Sequence, residues 1–263
     1  MNGIGWLGRG WRSVALASLA IALAACNTTI KDETAGMSTE KLYSEAREEA
    51  NSGGYERAIK LYERLEGRAA GSLLGQQAQL ERAYLLYRTD EKAEALSIVE
   101  RFLKQHPTSP AADYALYLQG VINFNGNLGL FGRFVKRDLS ERDQQASRDS
   151  YQAFKQLTEQ YPESKYAPDA RVRMTYIVNS LAAYELHVSR YYFRRGAYVA
   201  AANRAQQAVQ EFQYSPSTEE ALAIMVQSYD RLGLVQLRDD AARVLRQNFP
   251  NTTMLAQLPK QRE

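Results

Sequence analysis

The sequence predicts an all-α fold, a solenoid of about five helix-turn-helix repeats with an insertion in the third. Three observations carry this. Ala, Gln, Arg, Glu, Leu and Tyr dominate the 263 residues while Ile, Val and Thr are sparse, which favours helix over strand. Paired small residues recur at a fixed separation, Ala46 with Ala58 and Ala83 with Ala95. Similar closing strings also recur, as His106-Pro107, Tyr161-Pro162-Glu163-Ser164, Tyr214-Ser215-Pro216-Ser217 and Phe249-Pro250-Asn251-Thr252.

Each element follows from this pattern. Ser38-Thr39-Glu40-Lys41 places a hydroxyl ahead of a first helical turn, with Glu40 near the positive helix end. A small residue on each helix of a pair lets the backbones approach. Proline then ends the second helix, and the Ser or Thr after it is expected to cap the next one. The first pair is expected over roughly 38–66 and the second over 76–105. The third starts near Ser109, with Gly120 as its close-contact residue, and resumes near Asp143. The fourth covers roughly 167–213 with a long first arm, and the fifth 218–248, where Arg238 stands in place of a small residue. Gly196-Ala197-Tyr198-x-x-Ala201 repeats the turn Gly53-Gly54-Tyr55-x-x-Ala58. A single helix pair cannot bury its apolar face, so neighbours stack. The pattern is similar to the tetratricopeptide repeat, whose period is about 34 residues.

The insertion, about 124–142, is rich in Gly and Asn yet holds large apolar residues, among them Phe124, Phe131 and Phe134, followed by a charged stretch from Lys136 to Asp143. Two readings stand: a loop folded onto its own repeat, or a docking surface carried by those phenylalanines.

The amino terminus predicts export and lipidation. Arg9 and Arg12 precede an apolar run over residues 14–25, broken only by Ser18. The run is shorter than the roughly 20 residues of a membrane-spanning helix but suits a signal-peptide core. Leu23-Ala24-Ala25-Cys26 then has the form of a bacterial lipobox, which places a signal peptide at 1–25 and lipid on Cys26. The alternative is an ordinary secretory signal with an incidental cysteine. Asn27 rather than Asp after the cysteine points to the periplasmic face of the outer membrane. Residues 26–37 then form a lipidated flexible tether to a solenoid over 38–263. Covalent lipid is the only non-protein group expected; no cofactor is called for.

Composition and motifs exclude several classes. The 33 basic residues, less Arg9 and Arg12 of the signal peptide, stand against 30 acidic ones. That near-neutral balance makes no case for nucleic acid. Cys26 is the only cysteine, so neither a disulfide nor a thiolate metal site can form. His106 reads as a helix-end packing residue and His187 as an ordinary helical one; neither lies in a metal-ligand pattern. No catalytic constellation and no nucleophile elbow appears, so the chain reads as a non-enzyme. Most of the 17 tyrosines fall at helical spacing and read as packing, with the remainder available to line a groove. Arg190, Arg194, Arg195 and Arg204 crowd the fourth unit. They form either a solvated face paired with residues such as Glu185 and Glu211, or a bidentate patch for carboxylates of a partner.

Four strings carry a family resemblance: Asp113-Tyr114-x-x-Tyr117-x-x-Gly120, Arg137-Asp138-x-Ser140-Glu141-Arg142-Asp143, Tyr161-Pro162-x-Ser164-x-Tyr166-x-x-Asp169-Ala170, and Tyr191-Tyr192-x-x-Arg195-Gly196-Ala197-Tyr198-Val199-Ala200-x-x-Asn203-Arg204. With the lipobox and the interrupted third unit, the sequence resembles the BamD (ComL) family, lipoproteins of the outer-membrane β-barrel assembly (BAM) machinery. The resemblance implies a scaffold whose carboxy-terminal repeats bind BamA, with possible BamC-like and BamE-like lipoprotein partners. It also implies that the amino-terminal repeats receive unfolded outer-membrane proteins. Arg204 matches a family arginine tied to coupling with BamA, and Arg101 another family basic position. The chain departs from the family after the first repeat. An Arg-Tyr-Pro-Phe-Gly-Pro-Tyr turn is replaced by Arg68-Ala69-Ala70-Gly71-Ser72-Leu73-Leu74, so Ala69 stands where the family has a substrate-contacting tyrosine. Leu73 and Leu74 are the residues that could supply apolar contact instead. The alternative to this family role is a generic tetratricopeptide envelope lipoprotein acting in cell-wall binding or processing.

Overall fold

The computed structural model describes residues 34–124 and 141–254. Among the described residues there are ten helices and no strand: α1 (Thr39–Ser52), α2 (Tyr55–Arg68), α3 (Leu73–Arg88), α4 (Lys92–Gln105), α5 (Ala112–Asn123), α6 (Glu141–Gln160), α7 (Ala167–Arg194), α8 (Tyr198–Glu211), α9 (Thr218–Arg231) and α10 (Val235–Asn248). Each packs on its neighbours in the chain, and α3 also touches α5, as α7 does α9. The result is a helical, tetratricopeptide-like solenoid of five pairs. Its interior is a file of local clusters rather than one central core.

The small residues do what their spacing predicts. Ala46, Ala58, Ala83 and Ala95 are fully buried. At Gly120 a Cβ would lie 2.4–2.7 Å from the Phe154 ring, so α5 and α6 meet there only because that position lacks a side chain. The turns inside four pairs share one left-handed residue: Gly53, Gly196 and Gly233, with Asp90 (φ 69°) in the same role after α3. Arg238 is buried at 4% exposure, held by Asp230 at 3.2 Å and Asp239 at 2.8 Å. The fifth pair therefore closes on a neutralised arginine, with Ala241 and Ala242 supplying the small contacts.

Capping is correct at some helices and displaced at others. Ser38 Oγ accepts the Lys41 N–H at 3.2 Å, as expected, and Ser72 caps α3 likewise through Gly75. Ser109, Ser164 and Ser215 behave differently. Each hydroxyl accepts the N–H two residues on, from Ala111, Tyr166 and Ser217, inside a tight turn that precedes the helix. No side chain caps α5, α7 or α9. The serine closes the turn made by the preceding helix end, and the helix starts beyond its reach.

Residues 34–37, expected to be flexible, are docked on the solenoid. Thr34 is 2% exposed, and residues 34–36 form a turn laid on α2. The Arg68 guanidinium donates to the Thr34 carbonyl at 2.7 Å and its Oγ1 at 2.9 Å, and also to the Met37 carbonyl; Arg64 adds a bond to Thr34 Oγ1. Residues 26–33 lie outside the described residues. Charge-assisted bonds of this kind contribute about 2 kcal/mol together after exposure is allowed for. Arg64→Ala/Arg68→Ala should therefore speed exchange of the Met37 amide, which donates to the Thr34 carbonyl at 2.9 Å, by roughly 30-fold. Unchanged exchange would mean that the segment is held by packing alone.

Candidate binding surfaces

An open groove of about 420 Å³ lies between α2, the following loop, α3 and α4. Its lining includes Glu66, Ala70, Gly71, Gln79, Arg82 and Arg101. Glu66 receives Arg101 at 2.9 Å and Arg82 at 3.4 Å; Arg82 also reaches Glu94 at 2.7 Å. Gln79 Nε2 and Arg82 Nε are buried donors with no hydrogen-bond partner. A buried unpaired donor is costly, so both are suited to an acceptor brought by a ligand. The fold thus brings Arg101 beside the segment that replaces the family's aromatic turn. Within that segment Leu73 is 68% exposed outside the groove lining, and Leu74 packs into the first core cluster. Gln79 and Arg82 escaped the sequence reading; the available signal was a glutamine on the buried face between Ala78 and Leu80. His106 packs its ring 5.3 Å from Phe102 at the groove rim, while His187 is exposed.

The four arginines of the fourth unit do not form one patch. Arg190 on α7 engages Glu220 on α9 through both Nε and Nη2, and that carboxylate raises the arginine above its usual pKa range. Arg204 on α8 pairs at 3.1 Å with Glu185 of α7, as one of the two readings anticipates. Glu211 instead takes Arg148 of α6 at 3.0 Å. Arg195 lies over the Tyr191 ring, 5.3 Å from its centroid, and Arg194 is exposed at the end of α7. Two arginines therefore tie helices together, and the other two sit at the α7 terminus away from those pairs.

Phe124 is folded inward. Arg173 sits 4.8 Å from its ring centroid, Tyr176 at 5.7 Å and Phe154 at 6.5 Å, so it belongs to the third core cluster. Phe131 and Phe134 lie outside the described residues, as does Cys26. Several tyrosines join repeats. Tyr166 stacks on Tyr117 at 4.8 Å, and the Tyr117 hydroxyl donates to Asp169 at 2.8 Å. Tyr55 accepts from Arg88 and Tyr198 from Arg231, both pairs 33 residues apart, an inter-repeat contact recurring in two places.

Among the described residues no helix is long and apolar enough to cross a membrane, and no cluster of His, Cys, Asp and Glu could hold a metal ion. The fold defines a helical-repeat protein of the tetratricopeptide-like class. Residues 35–245 match the YfiO family, described as outer membrane lipoprotein. The outer membrane protein assembly factor BamD of Neisseria meningitidis serogroup A is 47% identical over 243 residues, covering 90% of this chain and 91% of that protein. The BamD of Xylella fastidiosa strain Temecula1 is 34% identical, covering 91% and 82%. That of Haemophilus influenzae is 30% identical, covering 92% of both chains. The chain belongs to this family of outer membrane lipoproteins, the BamD assembly factors. Among solved structures, a thermophilic TPR protein of Thermus thermophilus aligns at 12% identity and TM-score 0.40, over 84% of this chain and 96% of that one.

Proposed function

We propose that the chain is a non-enzymatic scaffold of outer-membrane β-barrel assembly. It is anchored through lipid on Cys26 at the periplasmic face of the outer membrane, holds BamA on its fourth and fifth repeats, and receives unfolded outer-membrane proteins on its first two. Family membership supports the assembly role. The groove between α2 and α4 carries the substrate reading, because Arg101, the loop after the first repeat and two unpartnered buried donors converge there. An extended segment offers such donors its backbone carbonyls, and its terminal carboxylate would compete with Glu66 for Arg101. With alanine at position 69, recognition leans on these polar groups and on Leu73.

The test is binding of a synthetic carboxy-terminal segment of an outer-membrane protein to the mature chain. Arg101→Glu should weaken it by about tenfold or more, the loss of a charge-assisted bond plus repulsion. Equal binding by the variant would remove the groove from the mechanism. Gentle detergent extraction of the envelope should co-purify BamA with the lipidated chain; its absence would sink the scaffold reading.

A further inference from the structure

We propose that Glu81 and the tyrosines around it form a site for an arginine or lysine side chain of an extended polypeptide. The site lies on the opposite face of α3 from the groove described above and does not rest on that groove. Gln77, Glu81, Tyr84 and Arg88 recur every three or four residues and so share one face of α3, whereas Gln79 and Arg82 line the groove. Tyr43 of α1 joins this face, where its hydroxyl accepts from Gln77 at 2.6 Å and its ring lies 6.1 Å from that of Tyr62. On the other side Tyr114 of α5 lies 5.4 Å from Tyr166, which stacks on Tyr117. Glu81 sits between the two groups. After burial, its charge does most to push the Tyr62 and Tyr114 hydroxyls up from their ordinary pKa. Glu81 itself is half-buried, with neither a hydrogen bond nor an ion pair among the described residues. Burial pushes its carboxyl upward too, opposed only through space by Arg47, which is exposed on α1.

Elsewhere on this face the same groups already hold a cation. Asp169 takes Arg173 at 2.6 Å as well as the Tyr117 hydroxyl at 2.8 Å. Arg88 lies 5.8 Å from the Tyr84 ring centroid and donates to the Tyr84 and Tyr55 hydroxyls, and Lys165 lies 5.0 Å from the Tyr166 centroid. Glu81 has comparable surroundings, a carboxylate beside tyrosines, without a cation at ion-pair distance. A carboxylate drawn partly out of water calls for a positive partner, and aromatic faces attract the same charge. An anionic or purely apolar occupant would leave Glu81 uncompensated. The row from Tyr43 to Tyr166 crosses α1, α3 and α5 and ends at the start of α7, a course that an extended segment can follow along a solenoid.

The test uses an end-blocked peptide of glycine and serine with one central arginine, and its citrulline counterpart, which keeps the shape and loses the charge. Binding to the folded mature chain is followed by NMR. The arginine peptide should bind about tenfold more tightly than the citrulline peptide, the worth of one charge-assisted contact at a half-buried site. It should also lower the pKa of the Glu81 carboxyl, read by carbon-13 titration, because a bound cation favours the charged form. Glu81→Gln keeps the volume and should bind the two peptides alike. Tyr114→Phe keeps the ring and should retain the preference. Arg47→Ala removes the one internal competitor and should bind the arginine peptide at least as tightly as wild type. Arg101→Glu, in the groove between α2 and α4, should leave the preference unchanged whether or not that groove receives clients. Equal binding of the two peptides by wild type, an unmoved Glu81 titration, or a preference that survives Glu81→Gln overturns the site. So does a preference lost in Arg47→Ala or in Arg101→Glu, since either loss would place the peptide elsewhere.

Discussion

Phe154→Ala should destabilise the chain by about 3–5 kcal/mol and separate its unfolding into two steps. Phe154 is fully buried on α6 and fills the space left by Gly120 on α5. Tyr117 and Phe124 lie within 6.0 and 6.5 Å of its ring centroid, and the cluster it joins also includes Leu116, Leu157, Ala170 and Ile177. In a solenoid each unit is stabilised by its neighbours, so one weakened interface uncouples what lies on either side. Here α1 to α5 should unfold separately from α7 to α10. Urea titration followed by far-ultraviolet circular dichroism and by amide exchange reads both effects; the two tryptophans, Trp6 and Trp11, precede Cys26, so a chain lacking residues 1–25 has none to report. Gly120→Ala should act in the same direction, because its Cβ would overlap the ring. A single transition at the wild-type midpoint in Phe154→Ala would show that the third repeat does not couple the two halves.

Arg204→Ala should lower stability by about 3 kcal/mol, the lower end of the range for breaking a buried pair, since trimming a half-exposed arginine admits some water to Glu185. Helical content in the absence of denaturant should stay the same. Adding Glu185→Gln should return most of the lost stability, because a neutral amide needs no cation, yet it should not restore BamA binding. This pattern separates the two roles of Arg204, as counter-ion and as contact. An unchanged urea midpoint in Arg204→Ala would mean that solvent already screens the Glu185 carboxylate.

Much of the repeat architecture was legible because it rests on local chemistry. Small residues twelve apart, a glycine turn and a proline stop each act within one helix pair, and the ten described helices fall accordingly. The misplacements have equally local causes. Ser109 and Ser164, expected to cap the next helices, close the preceding turns, since the hydroxyl reaches only two residues onward, and Ser217 stands at the start of its helix without a side-chain cap bond. Thr34 reads as tether because residues 27–37 are mostly polar and show no apolar periodicity; its partners Arg64 and Arg68 lie 30 and 34 residues away.

The binding surfaces were less legible. Arg190, Arg194, Arg195 and Arg204 are close in sequence and suggested one patch, but Glu185 and Glu220 reach two of them from other helices. Phe124 suggested docking, and the third core cluster claims it. By itself the sequence determined the all-α repeat, the positions of its turns and the family, because these follow from residue spacing and from strings read in order. Only the tertiary structure decided which charges are satisfied and which remain open. That depends on what neighbouring helices place within about 3 Å, the range over which a hydrogen-bonded ion pair forms.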